Sequence, residues 1–220
     1  MTNLMQCKVL SNGLSVAALI ICLSVSALAA QRDVGLDSAA AVQMLSNARG
    51  ANPVMCELAV HSINARYGNW GRTGRAPDAI IGQRSLLDRA GQDIEDIGTA
   101  LALGNALTDD DVCVSRMAAR LFGRVTHPDA WNILVRHLGS RDDGTRRMAA
   151  IALGYLESED AVESLVDVLS DELASVRAAA TWALGEIEDE RALDALTGLL
   201  GDDPDPFVRR QAAWALGNMY

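Results

Sequence analysis

The sequence predicts an all-α protein, an α-solenoid in which about five helix pairs stack into an α/α superhelix. Three observations predict it. A nine-residue stretch recurs, ending at Gly123 ("SRMAARLFG"), Gly154 ("RRMAAIALG"), Gly185 ("RAAATWALG") and Gly217 ("RRQAAWALG"), at intervals of 31, 31 and 32 residues. A second apolar segment shares the period, because Ala130, Ala161 and Ala192 are 31 apart, as are Leu134, Leu165 and Leu196, and Leu138, Leu169 and Leu200. Half of the residues are apolar but only 4% are aromatic, a mix that suits close-packed helices better than sheets. One helix pair cannot bury its apolar stripe alone, whereas stacked pairs bury it against each other.

The first thirty residues stand apart. Lys8 precedes an apolar run from Leu14 to Ala30 that ends in Ala27-Leu28-Ala29, the layout of a signal peptide cleaved near Ala29 or Ala30. An uncleaved membrane anchor is the alternative. Ile21, where a small residue is wanted, argues against lipidation of Cys22. The mature protein is thus expected to be exported, periplasmic or extracellular, with any membrane contact made only through an uncleaved leader. Residues 31–66 then form an N-terminal degenerate helix pair, Leu36–Arg49 with Pro53–Arg66. Residues 67–92 are an insertion: a Gly- and Arg-rich loop carrying Tyr67, Trp70, Arg72 and Arg75, then a helix near Asp78–Ala90.

Residues 93–220 hold the repeats proper. The expected pairs are Ile94–Leu107 with Val112–Val125, Asp129–Leu138 with Thr145–Leu156, Ala161–Leu169 with Ser175–Ile187, and Arg191–Leu200 with Phe207–Met219. Ala161, Val162, Leu165, Val166 and Leu169 make one amphipathic face. Acidic turns such as "GSRDDGT" and "GDDPDP" supply caps, and Pro206 suits a first helical turn. The glycines after Leu153, Leu184 and Leu216 suit a helix end or a kink. The last helix closes the sequence with little polar capping, so its face is expected to pack on something or to be covered by a partner.

The segments "TRRMAAIALGYLESEDAVESLVDVLSDE" and "SVRAAATWALGEIEDERALDALTGLLGDDPD" resemble HEAT repeats, in the short bacterial form also found in phycobilin-lyase-type proteins. The resemblance is specific over about residues 93–220 and looser over 36–66, where Cys56 stands in the place of Arg209. It implies an armadillo-like superhelix, usually with a protein-binding role, whose second helices line the concave surface.

Export makes Cys56 and Cys113 a candidate disulfide, which would close a 57-residue interval. The chain-entropy estimate for such a loop is about 4 kcal/mol. No metal site is expected, since His61, His127 and His137 lack ligand spacing to the cysteines and none is followed by Glu, unlike the His-Glu pairs that hold iron in HEAT-fold hydroxylases. Neither a G-x-S-x-G context nor a phosphate-loop spacing occurs, so no catalytic residue and no cofactor is assigned. Net charge is −10, which disfavours nucleic acid as a partner.

Counted from each repeat Gly, positions −8, −5, −4 and −1 share a face at 100° per residue. It holds Ala149, Ala150 and Leu153 in one repeat and Ala212, Ala213 and Leu216 in another, and reads as core. Positions −7 and −3 lie opposite: Arg116 and Arg120, Arg147 and Ile151, Ala178 and Trp182, Arg210 and Trp214. Trp and Arg are enriched at binding hot spots, so Arg116, Arg120, Arg147, Arg210, Trp182 and Trp214 are the candidate contacts for another protein. The tryptophans have a structural alternative, packing on the next repeat's helix. A second column, Arg146, Arg177 and Arg209, follows acidic turns containing Asp143, Asp171 or Asp205 and reads as a ladder tying repeats together. An exported protein-binding scaffold is the leading reading. Alternatives are a lyase-like or other enzymatic accessory factor and a regulatory subunit of a membrane-anchored sensor or protease.

Overall fold

The computed structural model describes residues 37–63 and 93–219. The expected leader, the 67–77 loop and the 78–90 helix lie outside them.

Every element among the described residues except one bridge is helical, and most helices begin where a short polar side chain offers a cap. Helix α1 (Ser38–Ala48) starts at Asp37, which accepts from the Ala40 N–H, and α2 (Pro53–Ser62) starts at Asn52, which accepts from the Met55 N–H. Gly50, at φ +73, makes the tight turn between them. Asp96 caps α3 (Ile97–Ala106) and Asp111 caps α4 (Val112–Phe122). Helix α5 (Ala130–Leu138) leads to α6 (Asp143–Leu156), capped by Asp142. Helices α7 (Val162–Val168) and α9 (Leu193–Asp202) each follow a single 3₁₀ turn, and they pair with α8 (Ala174–Ile187) and α10 (Pro206–Asn218). Asp205 caps α10, and Pro206 occupies its first turn. Each such cap contributes about 1 kcal/mol. Among the described residues the ten helices form five pairs, the four expected in the repeats and the expected N-terminal one.

The boundaries differ from expectation at α3 and α4. Ile94 is not helical: it pairs with Val125 in an isolated parallel bridge, donating to the Arg124 carbonyl (2.7 Å) and accepting from the Thr126 N–H (3.0 Å). Asp96 outcompetes the apolar pattern by capping at Thr99, so the helix starts three residues later.

Second helices pack against one another in the order α2, α4, α6, α8, α10, and from α4 onward they do so more extensively than the first helices do. One apolar core runs the length of the array, from Met44 through Leu103, Met117, Phe122, Leu134, Leu153 and Leu165 to Leu184 and Leu196. Fully burying one such side chain contributes about 1.5–3 kcal/mol. The predicted core face holds for Ala149, Ala150 and Leu153, all fully buried, but not in the last repeat, where Ala212 is buried, Leu216 is half-buried and Ala213 is exposed. No further helix covers Ala213 among the described residues.

Gly123 is the C-cap that ends α4, but the next two repeat glycines do not end their helices. Gly154 and Gly185 lie inside α6 and α8, which run on to Leu156 and Ile187. Their role is close approach: a Cβ on Gly154 would sit 2.9 Å from Ala183 Cα and 2.6 Å from the Trp182 ring, and one on Gly185 would sit 2.8 Å from both Ala215 Cα and the Trp214 ring. Termination falls instead to Glu157 and Glu188, which take the left-handed conformation at φ 53 and φ 57.

The arginine ladder exists, with its register one repeat on from the expected one. Arg146 Nε and Nη2 donate to Asp171 (2.7 and 3.1 Å), and Arg177 Nε and Nη2 donate to Asp203 (2.7 and 2.9 Å), so each guanidinium reaches the turn of the following repeat, not its own. Its own turn offers carbonyls, which each Nη1 takes: Ser140 for Arg146, Asp171 for Arg177 and Asp203 for Arg209. The forks hold the Asp171 and Asp203 carboxyls below their ordinary range. Cys56 on α2 and Cys113 on α4 form a disulfide, with Cα atoms 5.5 Å apart.

Candidate functional site

Residues 147, 151 and 155 rise one turn at a time along one side of α6, because four-residue steps keep a helix face. Arg147, Ile151 and Tyr155 therefore line up, and two adjoining concavities share them. One, of about 400 Å³, reaches back to Arg116 and Ala119 on α4 and Val60 on α2. The other, of about 340 Å³, reaches forward to Ala178 and Trp182 on α8 and Phe207 and Gln211 on α10. Together they make a groove crossing all five second helices.

Trp182 both packs and lines. Its ring edge lies over Gly154, which belongs to the preceding repeat and not the next, and it meets Tyr155 edge-to-face with centroids 5.0 Å apart. It stays half-exposed on the groove side. Trp214 covers Gly185 in the same way and is 38% exposed, but lines neither concavity. Of the arginines, Arg116 donates to Glu57 Oε2 (2.5 Å), and this contact holds the Glu57 carboxyl below its ordinary range. Arg120 stacks over the Tyr155 ring (4.1 Å) and Arg210 over the Phe207 ring (5.0 Å). Arg147 is half-exposed and has no carboxylate partner among the described residues.

The structure thus brings Arg116, Arg147 and Trp182 into one groove, sets Arg120 and Arg210 at its edge, and leaves Trp214 beyond it. Tyr155 and Phe207 are the aromatics that the −7 and −3 columns leave out. Tyr155 is one turn past the −3 position, so extending the column by four residues reaches it. Phe207 is three residues before Arg210, on the same side of α10. Glu186, one turn past Trp182, carries a carboxyl raised above its usual range, first by burial and then by the charge of Glu157. Among the described residues no histidine lines the groove, and no group of three or more His, Cys, Asp or Glu is placed to hold a metal ion. No helix there is long and apolar enough to cross a membrane.

The family of HEAT repeats matches residues 100–176 and 138–217, more than half of the chain. The chain belongs to the HEAT-repeat family. Among solved structures, it is similar to human deoxyhypusine hydroxylase in complex with glycerol, at 20% identity over 76% of this chain and 63% of that one, with a TM-score of 0.49. An engineered protein aligns at 22% identity over 81% and 78%, TM-score 0.45, and a designed armadillo repeat protein in complex with a (KR)4 peptide at 15% over 82% and 91%, TM-score 0.43. No curated protein sequence matches the chain.

Proposed function

We propose that the protein is an exported, non-catalytic scaffold that holds another protein in the groove across its second helices. The observation that carries this reading is the pair of concavities joined through Arg147, Ile151 and Tyr155, which offers aromatic faces and a cationic head on one continuous surface. Aromatic and Arg side chains contribute most when a partner excludes water around them. Export rests on the apolar run from Leu14 to Ala30, and an oxidising compartment suits the Cys56–Cys113 pair. Immobilised wild type is expected to capture a partner from a periplasmic or culture-fluid extract. Arg147→Glu combined with Trp182→Ala is expected to abolish capture while circular dichroism keeps the wild-type helix content. Undiminished capture by that variant would contradict the groove assignment.

A further inference from the structure

We propose that the groove accepts an acidic, extended segment of the partner, with Arg147 taking a carboxylate and the Trp182–Tyr155 wall taking an apolar side chain about three residues further along. This rests on the scaffold reading and names the chemistry of its ligand.

Charge complementarity carries the proposal. The chain has a net charge of −10, yet among the described residues no acidic side chain lines either concavity; the charged side chains that do are Arg116 and Arg147. Arg120 and Arg210 add two cations at the edge, over the Tyr155 and Phe207 rings; Arg120 also faces Glu186, whose carboxyl accepts from Trp182. Stacking on a ring leaves the in-plane N–H donors of a guanidinium able to reach an anion. Arg147 differs from its sequence neighbour Arg146, whose fork is taken up by Asp171. Among the described residues no carboxylate takes up the Arg147 fork. Arg116 shows how such a side chain is satisfied: the Glu57 carboxylate sits on it at 2.5 Å, where a partner's carboxylate would sit. The acidic body around the groove would repel an acidic segment everywhere else, which favours one docking position and makes association salt-dependent.

The period sets the spacing. Packed helices lie about 8–10 Å apart, and an extended chain rises about 3.3 Å per residue, so a segment crosses one repeat in about three residues. Arg116, Arg147 and Trp182 stand on the consecutive second helices α4, α6 and α8. The fitting segment is acid-x-x-acid-x-x-apolar, in one chain direction or the other.

The test is fluorescence anisotropy at low ionic strength with labelled Glu-Gly-Ser-Glu-Gly-Ser-Leu and its reverse, alongside versions with Gln for Glu and a single-stranded DNA oligomer of similar length. At least one acidic peptide is expected to bind, and its Gln version to bind roughly 10-fold more weakly or worse, the range for losing a charge-assisted bond. Arg147→Ala is expected to match that loss and Arg141→Ala, an exposed arginine outside the groove, to leave binding unchanged. Glu57→Gln is expected to tighten binding, by up to about five-fold, because it frees Arg116 from an exposed pair. Equal binding of the Glu and Gln peptides, both lost in Trp182→Ala, overturns the charge assignment and leaves the scaffold reading standing. The charge assignment also falls if neither peptide binds while capture of the partner still needs Trp182. DNA binding with the same Arg147 dependence overturns the proposal in favour of an unselective polyanion site.

Discussion

Gly185→Ala should destabilise the protein, although alanine is the better helix former. Gly185 lies inside α8, where the exchange by itself would gain about 1 kcal/mol in helix propensity. The added methyl would meet Ala215 Cα and Cβ and the Trp214 ring, each at 2.8 Å. Because one of these atoms is backbone, α10 itself must move. Overpacking of this kind costs about 1–3 kcal/mol, and loosening the α8–α10 seam adds to it, so the net change should be a loss of about 1–2 kcal/mol. Gly198→Ala is the internal control: it is also helical, inside α9, and nothing lies within 4 Å of an added Cβ, so it should gain about 0.5–1 kcal/mol. Urea unfolding followed by circular dichroism reads both as shifts of midpoint at constant slope. The two variants should move in opposite directions. A gain at Gly185→Ala equal to that at Gly198→Ala would refute the close-approach explanation of the repeat glycine.

Four further outcomes follow from the packing of the repeats. Asp203→Ala should cost about 3–5 kcal/mol, because it leaves the Arg177 guanidinium buried without its carboxylate, as thermal or urea unfolding will show. Stability should be lost in acid in a defined window: Asp171 and Asp203 titrate below the ordinary value of about 3.9 in the folded chain, so their contribution is complete above about pH 5 and disappears as pH falls through the ordinary carboxylate range to their depressed values. Glu186, raised by burial, works in the opposite sense, and Glu186→Gln should stabilise at pH 7 but not below about pH 4, in paired melts. Reducing Cys56–Cys113 should lower stability by about 4 kcal/mol, read as the unfolding midpoint with and without dithiothreitol.

The architecture was legible because two periodicities are superposed in one chain: the helical one within segments and a 31-residue one between them. Core positions such as Ala149 and Leu153 followed directly from the first. The second showed the four pairs of the repeats but not how they join. Sequence puts Arg146 beside Asp143, whereas the guanidinium reaches Asp171, since a long side chain at a helix start points across the seam to the next turn. The repeat glycine read as a helix stop, because local propensity is visible in a sequence and an approaching backbone is not. Trp182 and Arg147 were legible as groove residues from their shared face. The pairing of Arg116 with Glu57 was not, since it joins positions 59 residues apart through the packing of α2 on α4.

Hydroxyl-radical footprinting with a partner bound tests most directly whether the second-helix groove is the binding surface. Trp182, Tyr155 and Phe207 should lose reactivity on binding, while Trp131, on the first-layer helix α5, should keep it. Protection of Trp131 with Trp182 unchanged would place the partner on the other layer and contradict the account.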